Sequence, residues 1–219
     1  MVAEKLNSVM PYWDRSIDIV IATHGDSDHI KGLVSVLEHY DVDMIIWNGA
    51  KAETDIFEEF ERAMNNEGAS IVEGKCCMRF NLGENSFFEI LYPLPQPEQD
   101  RVATKVKQND LSVVVRFVYG DTSILFTGDI ERQVEYEIVS QGLNLKSDIL
   151  KVAHHGSKTS SSQLFLEAVR PGAAVISAGR NNSYGHPHEV VLQNLEKYNI
   201  MVRRTDKEGD VLLVIESHL

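Results

Sequence analysis

Hydrophobic positions along the chain alternate between two patterns. Short apolar runs rich in β-branched residues, such as "IDIVIA" (17–22) and "VDMIIW" (42–47), predict buried strands. Between them, Ile30, Leu33, Val34 and Leu37 recur at helical spacing in "SDHIKGLVSVLEHY" and predict a helix. "TDIFEEFERAMNNEG" predicts a second, with Thr54 or Asp55 as its cap and Gly68 as its stop. "ASIVEG", "CCMRFNL" and "SFFEILYP" then read as closely spaced strands. The polar, proline-bearing stretch 93–110 reads as a long surface loop. "LSVVVRFVYGDTSILFTGD" predicts a hairpin turning at Gly120 and Asp121. Beyond it, "IERQVEYEIVSQG", "SQLFLEAVRPG" and "PHEVVLQNLEKYN" read as helices. "SDILKVAHHG", "AAVISAG", "IMVRRT" and "GDVLLVIES" read as strands.

This order, strand–helix alternation around an antiparallel block, predicts a layered α/β architecture. A length of 219 residues fits a single domain spanning 1–219. No apolar run is long enough for a membrane span, and the N-terminus lacks the apolar segment of a signal peptide, so a soluble domain is expected. The formal charge of −12 argues against a broad basic face that grips nucleic acid. Cys76 and Cys77 are adjacent, which suits neither a zinc knuckle nor a disulfide framework, and they read as ordinary core or strand residues.

The chemistry lies at the strand ends. "THGDSDH" places His24, Asp26, Asp28 and His29 directly after the first apolar run. Packing these groups at the end of a buried strand is costly unless a cation pairs with them. Asp129 follows "TSILFT", His154 and His155 follow "DILKV", and His186 and His188 follow "AAVISAG" and a polar loop. Each has a structural alternative. Asp129 suits a turn, a serine or threonine before "SQLFLEAV" suits a helix cap, and Pro187 suits a helix start. None of these explains the paired histidines. His39 and His218 read as surface residues.

Taken in order, "THGDSDH", "FTGD", "KVAHHGSKTSS" and "GHPH" resemble the motifs of the metallo-β-lactamase superfamily, and specifically its ComEC-type competence branch. The resemblance covers roughly residues 17 to 190. It implies an αββα sandwich, here lacking its usual first strands, so that the chain is a fragment or shortened form whose sheet edge is exposed, swapped or covered by a partner. It implies two divalent metal ions, manganese or zinc, with magnesium as a further candidate. His24 and Asp26 would bind the first and Asp28 and His29 the second. Asp129 would bridge them, His186 would complete the second site, and His154 or His155 would be a further ligand or the general acid. Asp28, His154, His155 and Lys158 are the candidate catalytic groups, and Ser157, Lys158 and the amides of "GSKTSS" are candidates to hold phosphate oxygens.

Two positions depart from the family pattern. Asp26 stands where a histidine is usual, which makes the first site richer in oxygen and favours manganese or magnesium over zinc. No histidine lies between His39 and His154, and Asn109 and Asp110 fall where a ligand histidine is usual. The implied activity is a metal-dependent hydrolase, most readily a phosphodiesterase or nuclease acting on DNA through a metal-activated hydroxide. The alternatives are a hydrolase of a small ester, lactone or cyclic nucleotide, and a metal-binding module without turnover. The implied partners are a weakly held DNA single strand or end and a membrane channel domain of the same or a partner protein. This places the domain in the cytoplasm or at a cell-membrane protein.

Overall fold

The computed structural model describes residues 2–95 and 107–215, which form two compact units. The first comprises residues 2–74 with 107–113. It contains α1 (Val2–Val9), β1 (Ser16–Ala22), α2 (Ser27–Leu37), β2 (Asp41–Trp47), α3 (Asp55–Glu67) and β3 (Ser70–Glu73). The three strands are parallel in the order β1-β2-β3, with Ile19 opposite Met44 and Ala22 opposite Trp47.

The buried faces follow the sequence pattern. Ile45 and Ile46 of β2 and Ile30 of α2 are fully enclosed. Phe57, Phe60 and Met64 share one face of α3 and are buried. Truncating Phe60 to alanine would cost about 3–5 kcal/mol. The predicted ends of α3 are present: Thr54 Oγ1 accepts from the Phe57 amide at 3.3 Å, and Gly68 takes φ +78°. Helix α1 was not expected. It packs against α2 at Gly32, where an added Cβ would stand 2.5 Å from Val2 Cγ2.

The second unit comprises residues 75–95 with 114–215. It contains β4 (Arg79–Gly83), β5 (Ser86–Tyr92), β6 (Val114–Tyr119), β7 (Thr122–Phe126), α4 (Arg132–Ser140), β8 (Ile149–Lys151), α5 (Gln163–Val169), β9 (Ala173–Ile176), α6 (Glu189–Lys197), β10 (Met201–Arg204) and α7 (Thr205–Glu208). Its sheet runs β10-β9-β8-β7-β6-β5-β4. Strands β4 to β7 pair antiparallel, and β7 to β10 pair parallel. The hairpin closes as predicted, with Tyr119 opposite Thr122. Leu125, Leu150, Val152, Phe165, Ile176 and Leu195 lie in its core.

Three expectations are corrected. The strand read through "SDILKVAHHG" ends at Lys151, and residues Ala153–Gly156 form a short 3-10 turn. "GDVLLVIES" forms no strand over its described part, 209–215, and Leu212 and Val214 are each 77% exposed. The strand read through "CCMRFNL" begins only at Arg79, after both cysteines, although Cys76 is a core residue as read. Cys76 is buried, its thiol pushed up to about 12 by burial and by Cys77, and Cys77 is exposed with φ +72°. The long loop expected at 93–110 is irregular at its described ends, except for a 3-10 turn at Asn109–Leu111. Its middle, 96–106, and His218 lie outside the described residues.

Candidate metal centre

In the first unit, β1 ends at Ala22 and α2 begins at Ser27, so residues 23–26 form the turn between them. His24 is 2% exposed. Its Nε2 lies 3.6 Å from Asp26 Oδ2. Asp26 occupies the N-cap position of α2, but its side chain does not cap the helix. Asp28 is in the first turn, with Oδ2 3.9 Å from His29 Nε2. The rings of His24 and His29 lie 4.1 Å apart between centroids. Two hydroxyls hold the far side of these rings. His24 Nδ1 is 3.0 Å from Thr23 Oγ1 and 3.2 Å from Ser112 Oγ, and His29 Nδ1 is 3.5 Å from Thr23 Oγ1. Anchoring Nδ1 leaves Nε2 as the ligand atom, the arrangement common around metal-bound histidine.

In the second unit, Asp129 follows β7 and is 3% exposed. A turn aspartate is normally solvated, so burial at this level calls for a positive partner. Its Oδ2 lies 3.3 Å from His155 Nε2. On the other side of that ring, Nδ1 is 2.7 Å from the carbonyl oxygen of Ser177, just after β9. A carbonyl only accepts, so Nδ1 carries a proton and Nε2 is the nitrogen that can ligate.

The turn that presents these rings is sharp. His154, His155 and Gly156 have φ of +49°, +53° and +83°. His154 Nδ1 lies 3.8 Å from Glu131 Oε1. His186 sits at centroid distances of 5.6 Å from His154, 6.4 Å from His155 and 5.0 Å from His188. Burial, with help from His188, His154 and His155, holds its pKa below 6.5, against the pull of Asp129. Asn182 fixes the His186 backbone from both sides, accepting from its amide at 2.8 Å and donating to its carbonyl at 2.7 Å.

Some predicted roles change. In "GSKTSS" the amides of residues 157–161 are engaged internally rather than open to phosphate. Those of Ser157 and Ser160 donate to the carbonyls of His154 and Ser157. That of Lys158 donates to His188 Nδ1, and that of Thr159 to Ser157 Oγ. Those of Ser161 and Ser162 donate to the two carboxylate oxygens of buried Glu135 at 2.5 and 2.8 Å. Ser157 is buried, its Oγ 3.1 Å from Thr159 Oγ1. Lys158 is exposed. Pro187 precedes His188, the N-cap of α6, rather than standing at the first helical position. The cap of α5 is Ser162, the first residue of "SQLFLEAV" rather than one before it, accepting from the Phe165 amide at 3.3 Å.

Sequence reading missed Ser112, Glu131, Glu135, Ser177 and Asn182, residue types too common in loops to carry a signal by themselves. It also missed Lys151, whose Nζ donates to the Val152 carbonyl at 2.9 Å. Burial lowers the pKa of that ammonium, and the Asp129 carboxylate opposes the shift.

Each unit thus offers imidazole nitrogen and carboxylate oxygen, with the His24, His29 and His155 rings held from behind at Nδ1. That donor chemistry fits a divalent cation of the zinc-to-manganese range. A family model described as the metallo-beta-lactamase superfamily matches residues 14–180. The chain belongs to this superfamily. ComE operon protein 3 of Bacillus subtilis (strain 168) is 34% identical over 197 residues, 90% of this chain and 24% of that protein. Competence protein ComA of Neisseria gonorrhoeae is 34% identical over 196 residues, 89% of this chain and 25% of that protein. The chain therefore spans about a quarter of the length of these relatives. Igni18, a novel metallo hydrolase from the hyperthermophilic archaeon Ignicoccus hospitalis, shares the fold at a TM-score of 0.54 and 12% identity, over 91% of this chain and 80% of that one. The likeness to the competence branch read from the four motifs agrees with these relatives. Superfamily membership supports a metal-dependent hydrolase. Among the described residues, no helix is long and apolar enough to cross a membrane.

Proposed function

We propose that this domain is a two-metal phosphodiesterase that cuts DNA, acting on a single strand or an end. The observation that carries the hydrolytic part is the pairing of buried Asp129 with half-buried His155, 3.3 Å apart, with the histidine tautomer held by Ser177. The nucleic-acid part rests on the likeness to competence proteins at 34% identity.

In the first unit, His24, Asp26, Asp28 and His29 would be metal ligands, and in the second unit Asp129, His155 and His186 would be. Two divalent cations supply positive charge for the phosphate oxygens and make water a stronger acid. Around them, the chain's own groups orient and move protons. Asp28, largely exposed at the start of α2, orients the attacking water. His154 gives its proton to the departing oxygen, and Glu131 keeps its ring in position. This divides the paired histidines by their partners, a carboxylate behind one and a backbone carbonyl behind the other. Lys158 offers an exposed ammonium to a neighbouring phosphate. Asp26, an oxygen donor in place of nitrogen, inclines the first site to manganese or magnesium.

The net charge of −12 leaves no general attraction for a polyanion, so the DNA is weakly held and delivered by a partner, a membrane channel domain in our reading. The test is cleavage of end-labelled single-stranded DNA with manganese, magnesium or zinc, beside an Asp129→Ala control. Metal-dependent cutting that the substitution removes supports the reading. Turnover of a small phosphodiester or ester without DNA cutting would replace it with a small-molecule hydrolase.

A further inference from the structure

We propose that Tyr184 is a stacking platform for a nucleobase next to the cleaved phosphodiester, an inference that rests on the nucleic-acid reading above. Tyr184 is 76% exposed, although it sits two residues from a proposed ligand. Its ring stacks on His186, with centroids 5.7 Å apart and planes 20° apart. The imidazole covers one face of the phenol and leaves the other for a flat partner.

An exposed tyrosine on a loose loop would mean little. This loop is held. Asn182 ties the turn together, donating from its amide and its side chain to the Gly179 carbonyl and bonding the His186 backbone on both sides. The following Gly185 has φ +73°, and a Cβ added there would meet nothing within 4 Å. The backbone on either side of Tyr184 is therefore held, and its ring rests on His186 beside the histidine cluster, which lowers the cost in lost motion on binding.

The chemistry of the ligand follows. Every base has a π face, so an aromatic platform binds without regard to sequence, which suits a nuclease that degrades a strand. Stacking also supplies what the charge withholds. A domain at −12 gains little from phosphate contacts, so base contact must carry a larger share of the binding.

The experiment measures fluorescence anisotropy of two dye-labelled, cleavage-resistant phosphorothioate oligomers of equal length on the manganese-loaded protein. One is oligothymidylate, and the other has the same backbone without bases. Wild type and Tyr184→Phe should prefer the base-bearing oligomer. Tyr184→Ala and Tyr184→Leu should lose about tenfold in affinity for it, in line with stacking losses elsewhere, and be unchanged for the other. Equal affinity of wild type and Tyr184→Ala for oligothymidylate, in a protein that does cut DNA, overturns the stacking role alone. A wild type that neither holds these oligomers nor cuts DNA overturns the nucleic-acid reading and this inference together.

Discussion

His155 Nδ1 lies 2.7 Å from the carbonyl oxygen of Ser177, so the residue just after β9 decides which nitrogen of His155 faces Asp129. The backbone partner cannot be removed by mutation, and the ring has one favoured tautomer. In the zinc-loaded protein, nitrogen-15 correlation spectra should therefore show His155 protonated at Nδ1 and metal-shifted at Nε2. A proton on Nε2 would remove His155 from the ligand set.

The hydroxyls behind His24 give a second prediction. Ser112→Ala and Thr23→Val each remove one hydroxyl facing His24 Nδ1, at 3.2 and 3.0 Å respectively. Partners of this kind are typically worth about 10–100-fold in metal affinity. Calorimetric titration should find a loss of that order with an unchanged melting curve. Unchanged affinity in both variants would mean that packing alone orients the ring.

Glu135 is a structural carboxylate with a pH signature. Burial raises its pKa above 4.5, and the hydrogen bonds from Ser162 and Ser161, with the charge of Arg132, only partly offset this. A group whose folded pKa exceeds its unfolded value binds its proton more tightly when folded. Its contribution is therefore present in full below pH 4.5 and falls away as pH rises through the folded value. Glu135→Gln removes that titration and turns an amide donor towards one of the two backbone N–H groups. Denaturant melts should show a loss of about 1–3 kcal/mol at neutral pH, the cost of one buried donor without a partner. They should also show a flatter pH dependence above 4.5. A variant as stable as wild type at neutral pH would count against this role.

Gly156 closes the histidine turn. A Cβ there would stand 2.6 Å from Pro187 Cβ, at a φ of +83° that other residues rarely adopt. Gly156→Ala should cost roughly 1–3 kcal/mol from overpacking, plus the strain of its backbone. It should also reduce activity more than stability, because the same turn carries His154 and His155. Thermal melts beside turnover would separate the two effects.

Legibility from sequence followed the range of the forces involved. β1, β2 and the Gly120–Asp121 hairpin are encoded by neighbouring residues, as are the Thr54 cap and the Gly68 stop of α3, and all were readable. Helix α1 was not, because its residues alone are weakly apolar and its place depends on Gly32 of α2. The apolar run at 211–215 misled for the converse reason, since strand propensity without a paired neighbour makes no strand. At the site, the ligand types were legible because their density at strand ends is unusual. Their supports were not. Ser112 meets His24 across 88 residues of chain, and Ser177 acts through its backbone, which no side-chain pattern encodes.

The central claim is that the histidine and carboxylate clusters of each unit bind divalent metal, and that this metal is needed for hydrolysis. Metal content by plasma mass spectrometry on wild type, His24→Ala and Asp129→Asn, with turnover on the same samples, tests it most directly. The account predicts about two divalent cations per chain in wild type. It predicts depleted metal in each variant, and at least a hundredfold loss of turnover when either unit is altered. A full complement of metal and undiminished turnover in Asp129→Asn would contradict it.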